Sequence, residues 1–152
     1  MSRYTKKDIL EMVEEEDVEF IRLQFTDLFG SMKNLAITAS HLKKALNNQV
    51  MFDGSSIDGF VNVDESDMYL YPDYSTFAML PWRPQQGKGA RLISDVYRPG
   101  GTCYEGDPRY ILKKVVSEAA GEGYTFQVGP ECEFFLYHLD DNGMPTNITH
   151  EQ

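Results

Sequence analysis

A Pro-Gly-Gly-Thr sequence at residues 99–102 divides the chain into two unequal parts. Proline and glycine in succession are typical of turns and linkers. Before this break, the predicted order is a helix, a hairpin, a short helix, a loop and further strands, which indicates a compact α+β unit. After it, one helix, one long strand and half a hairpin are too little to bury a core of their own. We therefore expect a small domain over residues 1–104 and the truncated start of a larger domain over residues 105–152.

The N-terminal segment has the pattern of a capped helix. Thr5 and Asp8 match a capping box in which Asp replaces the usual Glu. Apolar residues follow on one helical face at Ile9, Met12 and Val13. Because apolar residues then occur on both faces of residues 17–27, we expect a strand that is partly covered on each side. Residues 32–39 are its predicted hairpin partner.

Shorter elements complete the first part of the chain. Ser40 is the predicted N-cap of a short helix that ends at Asn47. Its inward side chains are Leu42 and Leu46. Residues 51–63 have the least regular pattern and are expected to form a loop. Further strands, bounded by proline or glycine, are predicted over residues 67–72, 76–81 and 87–97.

The second part opens with a well-marked helix. Asp107 is its predicted N-cap and Pro108 its first residue. Glycines end it, at Gly121 and Gly123. Its predicted buried stripe comprises Ile111, Leu112, Val115, Val116 and Ala119. A long strand is expected over residues 125–139, followed by a tight turn at residues 140–143 and the start of a return strand.

The composition excludes several classes of partner and location. The net charge is −10 and the sequence pI is about 4.6, which argues against nucleic acid or an anionic membrane surface as the main partner. No apolar run is long enough to span a bilayer, and the N-terminus has no signal-peptide core. Because two cysteines are too few for a disulfide framework, the predicted compartment is the cytoplasm.

Two glutamates, Glu131 and Glu133, lie within the apolar residues 129–137. If this run is extended, both side chains share one face, with their carboxylates roughly 7 Å apart. A solvated strand face is the ordinary explanation for such a pair. Two acids on a strand rich in Phe and Leu are costly to bury, however, unless cations such as Mg²⁺ or Mn²⁺ compensate them.

Other polar residues have ordinary structural explanations. The sequence Asp-Gly-Ser-Ser, which begins at Asp53, is typical of a plain turn with side chains bonded to local backbone. Cys132 is expected to be core filler that faces away from the glutamates. The histidines lack metal-ligand spacing; they are His41, His138 and His150.

An ordered set of motifs resembles the type I glutamine synthetases. Residues 51–60 and 65–68 resemble that family's active-site loop, and residues 129–135 resemble its metal-binding strand. Supporting similarities occur at residues 22–27, 71–73, 81–82 and 105–109. The resemblance covers essentially the whole chain in unbroken order. It implies an N-terminal β-grasp (ubiquitin-like) domain followed by the start of the family's catalytic α/β domain.

The resemblance also implies a reaction and roles for four residues. In that family ATP phosphorylates glutamate, and ammonia then displaces phosphate from γ-glutamyl phosphate to give glutamine. Two Mg²⁺ or Mn²⁺ ions serve each site. By motif position, Glu131 would bind the metal nearer the ATP phosphates and Glu133 the metal nearer glutamate. Asp53 would bind ammonium and help remove its proton in a neighbouring subunit's site, and Ser56 would help hold that loop.

The family forms homo-oligomers of two stacked hexameric rings, a dodecamer, with active sites between subunits. Two alternatives remain open for this chain. One is a related γ-glutamyl ligase that acts on a polyamine or another amine, although Asp53 favours ammonium. The other is a non-catalytic module that associates with full-length subunits.

The resemblance implies that much of the active site lies beyond Gln152. In the family, the remaining metal ligands, the glutamate-binding arginines and the nucleotide pocket follow that position. We therefore expect the isolated 152-residue chain to make no glutamine. Asn62 replaces a basic residue that several bacterial members carry after the Asp53 loop, which leaves the mode of feedback regulation open.

Overall fold

A computed structural model describes residues 4–61, 66–82 and 87–148 of the chain. Asn62, Glu65 and His150, which entered the sequence analysis, lie outside these ranges. The helices are α1 at Lys6–Glu15, α2 at Leu42–Ala45 and α3 at Pro108–Gly121. The strands are β1 at Val18–Thr26, β2 at Met32–Thr38, β3 at Val50–Asp53, β4 at Asp67–Pro72, β5 at Ala78–Leu80 and β6 at Lys88–Tyr97. Short 3-10 turns occur at Ala39–His41, Gly54–Ser56 and Tyr74–Thr76.

The described strands form one mixed sheet of six strands. Its order is β2-β1-β6-β4-β3, and β5 pairs with β6 outside that path. The β1 and β6 strands run parallel, whereas the other pairings are antiparallel. Apolar residues from α1, α2 and one face of the sheet share a single buried core. This arrangement confirms the predicted α+β fold, with β3 at the edge of the sheet.

Helix α1 begins with the predicted capping box. The backbone N–H of Asp8 donates to Thr5 Oγ1 at 3.2 Å, and the N–H of Thr5 donates to Asp8 Oδ2 at 2.7 Å. Ile9 and Val13 are buried against the sheet, while Met12 is partly buried. No helix in the described residues has both the length and the apolar character that crossing a bilayer would require.

The β1 strand differs from the prediction because only one of its faces is covered. Ile21, Leu23 and Phe25 are buried, whereas Phe20 and Arg22 are exposed on the opposite face. Helices α1 and α2 pack on the face of the sheet that carries Ile21 and Leu23, and Phe20 remains 45% exposed on the opposite face. A register shift between Val18 and Phe20 also breaks the alternation at the start of the strand.

The segment after β2 also differs in detail. Ser40 does not cap a helix: the chain first makes a 3-10 turn, and the Ser40 hydroxyl lies 2.8 Å from Thr38 Oγ1. Leu42 and Leu46 are buried, as predicted. The segment predicted to be a loop begins with strand β3. This strand pairs with β4, which lies further along the chain.

The predictions for α3 and for the segment that follows it were partly wrong. Asp107 and Pro108 begin the helix as expected. The stripe predicted to be buried is instead exposed at Ile111, Leu112, Val115 and Val116, with Ala119 partly exposed. Residues 125–138 form no strand, because no strand of the described chain lies beside them to pair. Cys132 is exposed and is not core filler here.

The predicted tight turn is confirmed by its hydrogen bonds. The Gly143 N–H donates to the carbonyl of Asp140 at 2.9 Å, and Asp140 Oδ1 accepts from the N–H groups of Asn142 and Met144 at 2.9 Å each. The return segment makes a single bridge between Leu139 and Pro145.

Candidate active-site segments

Strand β3 ends at Asp53, whose side chain closes a short turn. Asp53 Oδ1 accepts from the Ser55 N–H at 2.9 Å and from the Ser55 hydroxyl at 2.6 Å. The Ser56 hydroxyl donates to the Asp53 carbonyl at 2.6 Å, which holds the far side of the turn. These bonds confirm the turn predicted from the sequence. They occupy only one oxygen of the Asp53 carboxylate.

Glycine is needed inside this turn because the backbone passes directly over β4. A Cβ at Gly54 would lie 2.7 Å from Met68 Cγ, well inside van der Waals contact. The Gly54 N–H also donates to the carbonyl of Ser66 at 2.6 Å. The turn is therefore fastened to the sheet, and the position of Asp53 is fixed by backbone contacts.

The end of the loop is fastened to the core. Phe60 is buried against Phe25 and Tyr104, and the Tyr104 hydroxyl donates to the Phe60 carbonyl at 2.6 Å. Gly59 has a φ of 82°, and a Cβ there would lie 2.7 Å from Leu28 Cδ1. Both ends of residues 53–60 thus have defined contacts with the β-sheet domain.

A second turn, after β4, has the same hydrogen bonds as the Asp53 turn. Asp73 Oδ1 accepts from the Ser75 N–H at 3.0 Å and from the Ser75 hydroxyl at 2.6 Å. The Thr76 hydroxyl donates to the Asp73 carbonyl at 2.6 Å. The other oxygen, Asp73 Oδ2, accepts a hydrogen bond from the Arg109 guanidinium. In this geometry, the second carboxylate oxygen is free to bind a cation.

Partial burial works to raise the pKa of Asp73, but the Ser75 hydrogen bonds and the charges of Arg109 and Lys113 outweigh it. The pKa therefore lies below its ordinary value, and the carboxylate is held in its charged form. The parallel between Asp53 and Asp73 was not predicted, although both lie in the repeated sequence pattern Asp-x-Ser-Ser/Thr.

Within the described part of the chain, Asp53 has no such cationic partner. Its Oδ2 makes no hydrogen bond or ion pair with any residue in the described ranges. Both Asp53 and Ser56 are exposed, and β3 is an edge strand of the sheet. The free carboxylate oxygen can therefore be reached by a small cation or by a second protein surface.

Glu131 and Glu133 lie on the extended, unpaired segment that follows α3. Both are exposed, and no hydrogen bond or ion pair joins them to Asp53 or Ser56. Their carboxylate oxygens are the donor type that Mg²⁺ and Mn²⁺ prefer. Across residues 4–61, 66–82 and 87–148, no three His, Cys, Asp or Glu side chains form a group that could hold a metal ion. The pair fits part of a metal site and not a whole one.

Comparison with known proteins places both segments in one family. The β-grasp domain of glutamine synthetase matches residues 17–99, and its catalytic domain matches residues 105–152. A glutamine synthetase of Clostridium saccharobutylicum is 59% identical over all 152 residues, which cover 34% of that relative. One from Staphylococcus aureus strain Mu50 is 55% identical over 144 residues, covering 94% of this chain and 32% of the relative.

Solved structures agree with these relatives. The chain resembles the glutamine synthetase of Plasmodium falciparum with a TM-score of 0.70 and 26% identity, covering 81% of this chain and 24% of that one. It resembles a GmaS complex with ADP with a TM-score of 0.68 and 28% identity, covering 76% and 26%. The chain spans about a third of the length of the curated relatives it matches. With both domain matches in order along the sequence, the chain belongs to the glutamine synthetase family.

Proposed function

We propose that this chain supplies two parts of the active site of a glutamine synthetase, which joins ammonia to the side-chain carboxylate of glutamate with ATP. The observation that carries the proposal is the Asp53 turn. Its local hydrogen bonds use one carboxylate oxygen and leave the other exposed at a sheet edge. A plain turn would not require that second oxygen to stay accessible.

The chemistry proceeds through two displacements. The γ-phosphoryl group of ATP passes to the glutamate side-chain carboxylate, which gives ADP and γ-glutamyl phosphate. Ammonia then attacks the carbonyl carbon of this mixed anhydride, and phosphate leaves. Ammonium itself has no lone pair, so a group that binds the ion and takes one proton is needed before the attack.

Asp53 has the properties required for that second role. Its free oxygen can accept a hydrogen bond from ammonium and then receive the proton, while the Ser55 bonds hold the other oxygen in place. Ser56 keeps the turn closed through the Asp53 carbonyl. A bulkier primary amine would have to fit between the carboxylate and the neighbouring surface, so Asp53 favours ammonium over a polyamine.

Glu131 and Glu133 are proposed as metal ligands, Glu131 on the ATP side and Glu133 on the glutamate side. Divalent Mg²⁺ or Mn²⁺, when bound, neutralises charge on the transferring phosphoryl group. The two carboxylates supply hard oxygen donors on an exposed segment. The remaining ligands would come from the part of the family's catalytic domain that this chain does not contain.

The edge position of Asp53 supports a site shared between subunits. An edge strand has no neighbouring strand on one side, where a second copy of the chain can approach. We propose that this chain functions in a homo-oligomer of two hexameric rings in the cytoplasm, with Asp53 completing the site of its neighbour.

A chimera tests the proposal directly. Residues 1–152 would replace the matching part of the Clostridium saccharobutylicum enzyme, with which they are 59% identical. Asp53→Asn should lower ammonium-dependent turnover by about 100-fold or more and leave ATP affinity unchanged. Asp67→Asn, which removes the carboxylate opposite Asp53, is the matched control and should keep activity. Normal ammonium use by Asp53→Asn would overturn the assignment.

Glu131→Ala in the same chimera tests the metal ligands. Loss of glutamine formation at all Mg²⁺ concentrations is expected, because a charge that balances the metal is gone. Near-normal activity with Mg²⁺ would show that Glu131 is not a ligand.

A further inference from the structure

Helix α3 is joined to the β-sheet domain mainly through polar contacts at its N-terminal end. Asp107 is fully buried and accepts two backbone hydrogen bonds. One comes from the Arg109 N–H at 3.0 Å, within the helix, and the other from the Val96 N–H of β6 at 2.9 Å. The N-cap residue of the helix is therefore also a side-chain partner of the sheet.

Arg109 forms a second connection between α3 and the sheet, and this one reaches further along the chain. Its Nε donates to Asp95 Oδ1 at 2.8 Å, and its terminal nitrogen pairs with Asp73 Oδ2. Lys113, one turn later, donates from Nζ to Asp95 Oδ2 at 2.6 Å. We refer to Asp73, Asp95, Arg109 and Lys113 as the α3 clamp.

Three members of the clamp are substantially shielded from water. The side chains of Asp73, Asp95 and Arg109 are 25%, 19% and 26% exposed, whereas Lys113 is 50% exposed. Fully exposed ion pairs contribute little, because solvent screens them and both side chains lose freedom. An arginine that bridges two partly buried carboxylates has a fixed planar fork and is far more directional.

Hydrophobic packing does not supply the same constraint. The apolar side chains of α3 remain 40% to 58% exposed at Ile111, Leu112, Val115 and Val116. Within the described residues, the helix therefore has no buried apolar stripe that would fix its direction against the sheet. Its orientation depends on Asp107 and the clamp.

The clamp connects the two segments of the proposed active site. Asp73 directly follows β4, and the opposite end of β4, at Asp67, pairs with Asp53. Arg109 lies in the first turn of α3, and Glu131 follows the end of that helix by ten residues. A continuous path of strand, turn, guanidinium and helix thus runs from Asp53 toward Glu131.

We propose that Arg109 is a positioning residue that sets the direction of α3, and so of the segment with Glu131 and Glu133, relative to the sheet that carries Asp53. The link to catalysis rests on the proposed function; the link to helix direction does not. A lysine at position 109 could pair with only one of the two carboxylates, Asp73 or Asp95. Its ammonium is a point charge and lacks the planar, forked guanidinium of arginine.

The first test measures helix direction in the 152-residue chain. Spin labels would be placed at Ser117 on α3 and at Lys44 on α2, both exposed, after Cys103→Ala and Cys132→Ala remove the native thiols. Arg109→Lys should widen the distance distribution by at least about twofold while circular dichroism stays unchanged. Arg22→Lys is the matched control and should leave the distribution narrow, because among the described residues the Arg22 side chain bonds only to Asn34.

Chemical rescue separates the guanidinium from general effects on folding. In Arg109→Ala, added guanidinium ion at low concentration should narrow the distribution again, whereas the same concentration of sodium chloride should not. An unchanged distribution in both Arg109→Lys and Arg109→Ala would overturn the proposal.

The second test uses the chimera. Arg109→Lys should raise the half-saturating Mg²⁺ concentration roughly tenfold to a hundredfold. Loss of a residue that orients metal ligands typically weakens metal binding by that factor. The KM for ammonium should stay near the parent value, because the Asp53 turn has its own contacts with the sheet. Unchanged Mg²⁺ dependence together with a widened distance distribution would limit Arg109 to a structural role and refute positioning of the metal ligands. If the parent chimera makes no glutamine, the proposed function fails, and the label distances alone decide whether Arg109 directs α3.

Discussion

Asp53 lies directly opposite Asp67 in the antiparallel pairing of β3 with β4. Both side chains are exposed on the same face of the sheet. Like charges in directly opposed positions destabilise a strand pair. The turn at Asp53 needs one side-chain acceptor, which an asparagine could provide equally well. The negative charge at Asp53 is therefore unfavourable for local stability.

Asp53→Asn should accordingly stabilise the 152-residue chain by a few tenths of a kcal/mol, because it removes the repulsion and keeps the cap. Asp67→Asn should stabilise it by a similar amount, and the double variant should gain little more than either alone. Urea unfolding at neutral pH measures all three. Destabilisation by Asp53→Asn would mean that both of its carboxylate oxygens serve the fold.

Ser94 presents a different kind of unsatisfied group. It is fully buried on β6, and its hydroxyl is the one buried side-chain polar group in the described ranges without a hydrogen-bond partner. Removing a hydroxyl that has no partner relieves a desolvation cost. Ser94→Ala should therefore be neutral or stabilise the chain by up to about 1 kcal/mol.

Thr76→Val is the matched control for Ser94. The Thr76 hydroxyl accepts from the Ile93 N–H at 2.8 Å and donates to the Asp73 carbonyl at 2.6 Å. Its removal leaves the Ile93 N–H unpaired, while the Asp73 carbonyl keeps the bond from the Thr76 N–H, and should cost about 1–3 kcal/mol in thermal or urea unfolding. Equal costs for both variants would indicate that Ser94 has a partner in solution.

Asp73 and Asp107 should have opposite effects on the pH dependence of stability. Burial raises the pKa of Asp107 above its ordinary 3.8, despite the hydrogen bonds from Val96 and Arg109. The folded state thus binds the Asp107 proton more tightly, so its contribution to stability falls as pH rises above 3.8. The pKa of Asp73 lies below 3.8, so its contribution is present above that pH and is lost on acidification through the folded pKa.

The corresponding asparagine variants test these signs. The free-energy cost of Asp107→Asn should be largest at and below about pH 3.5 and should decrease toward neutral pH. The cost of Asp73→Asn should be small at the lowest pH and should increase until about pH 4. Unfolding free energies measured from pH 2.5 to 7 would show whether the two difference curves slope in opposite directions, and parallel curves would contradict the assignment.

Local chemistry in the sequence predicted those parts of the fold that depend on neighbours along the chain. The capping box at Thr5 and the Asp107-Pro108 helix start are decided within four residues, and both were confirmed. Strand β3 was missed because its ladder partner, β4, comes from residues 67–72. The strand predicted over residues 125–139 was wrong because an apolar run becomes a strand only where another strand can pair with it.

The same distinction applies to the candidate site. The Asp53 turn could be predicted from Asp-Gly-Ser-Ser, because its bonds join residues two or three apart. The bridge from Arg109 to Asp73 spans 36 residues and leaves no periodic signal in the sequence. The metal-ligand assignment of Glu131 and Glu133 stays a prediction from family resemblance.

Gly54 should tolerate no side chain, although it lies in a turn with ordinary backbone angles. A Cβ there would meet Met68 Cγ at 2.7 Å, Val61 Cγ2 at 3.0 Å and the Ser66 carbonyl oxygen at 3.2 Å. Gly54→Ala should therefore destabilise the chain by about 1–3 kcal/mol through overpacking. In the chimera it should also weaken ammonium use, because the turn that orients Asp53 must move away from β4.

Gly121 is the matched control, since a Cβ at this last residue of α3 would meet nothing within 4 Å. Gly121→Ala should be neutral or stabilise the helix by up to about 1 kcal/mol, because alanine restricts the unfolded chain and favours helix. Unfolding measurements on both variants, with ammonium kinetics in the chimera, separate a contact at Gly54 from a general effect of replacing glycine. If Gly54→Ala matched Gly121→Ala in stability and left ammonium use unchanged, the close approach of the Asp53 turn to β4 would not determine the position of the carboxylate.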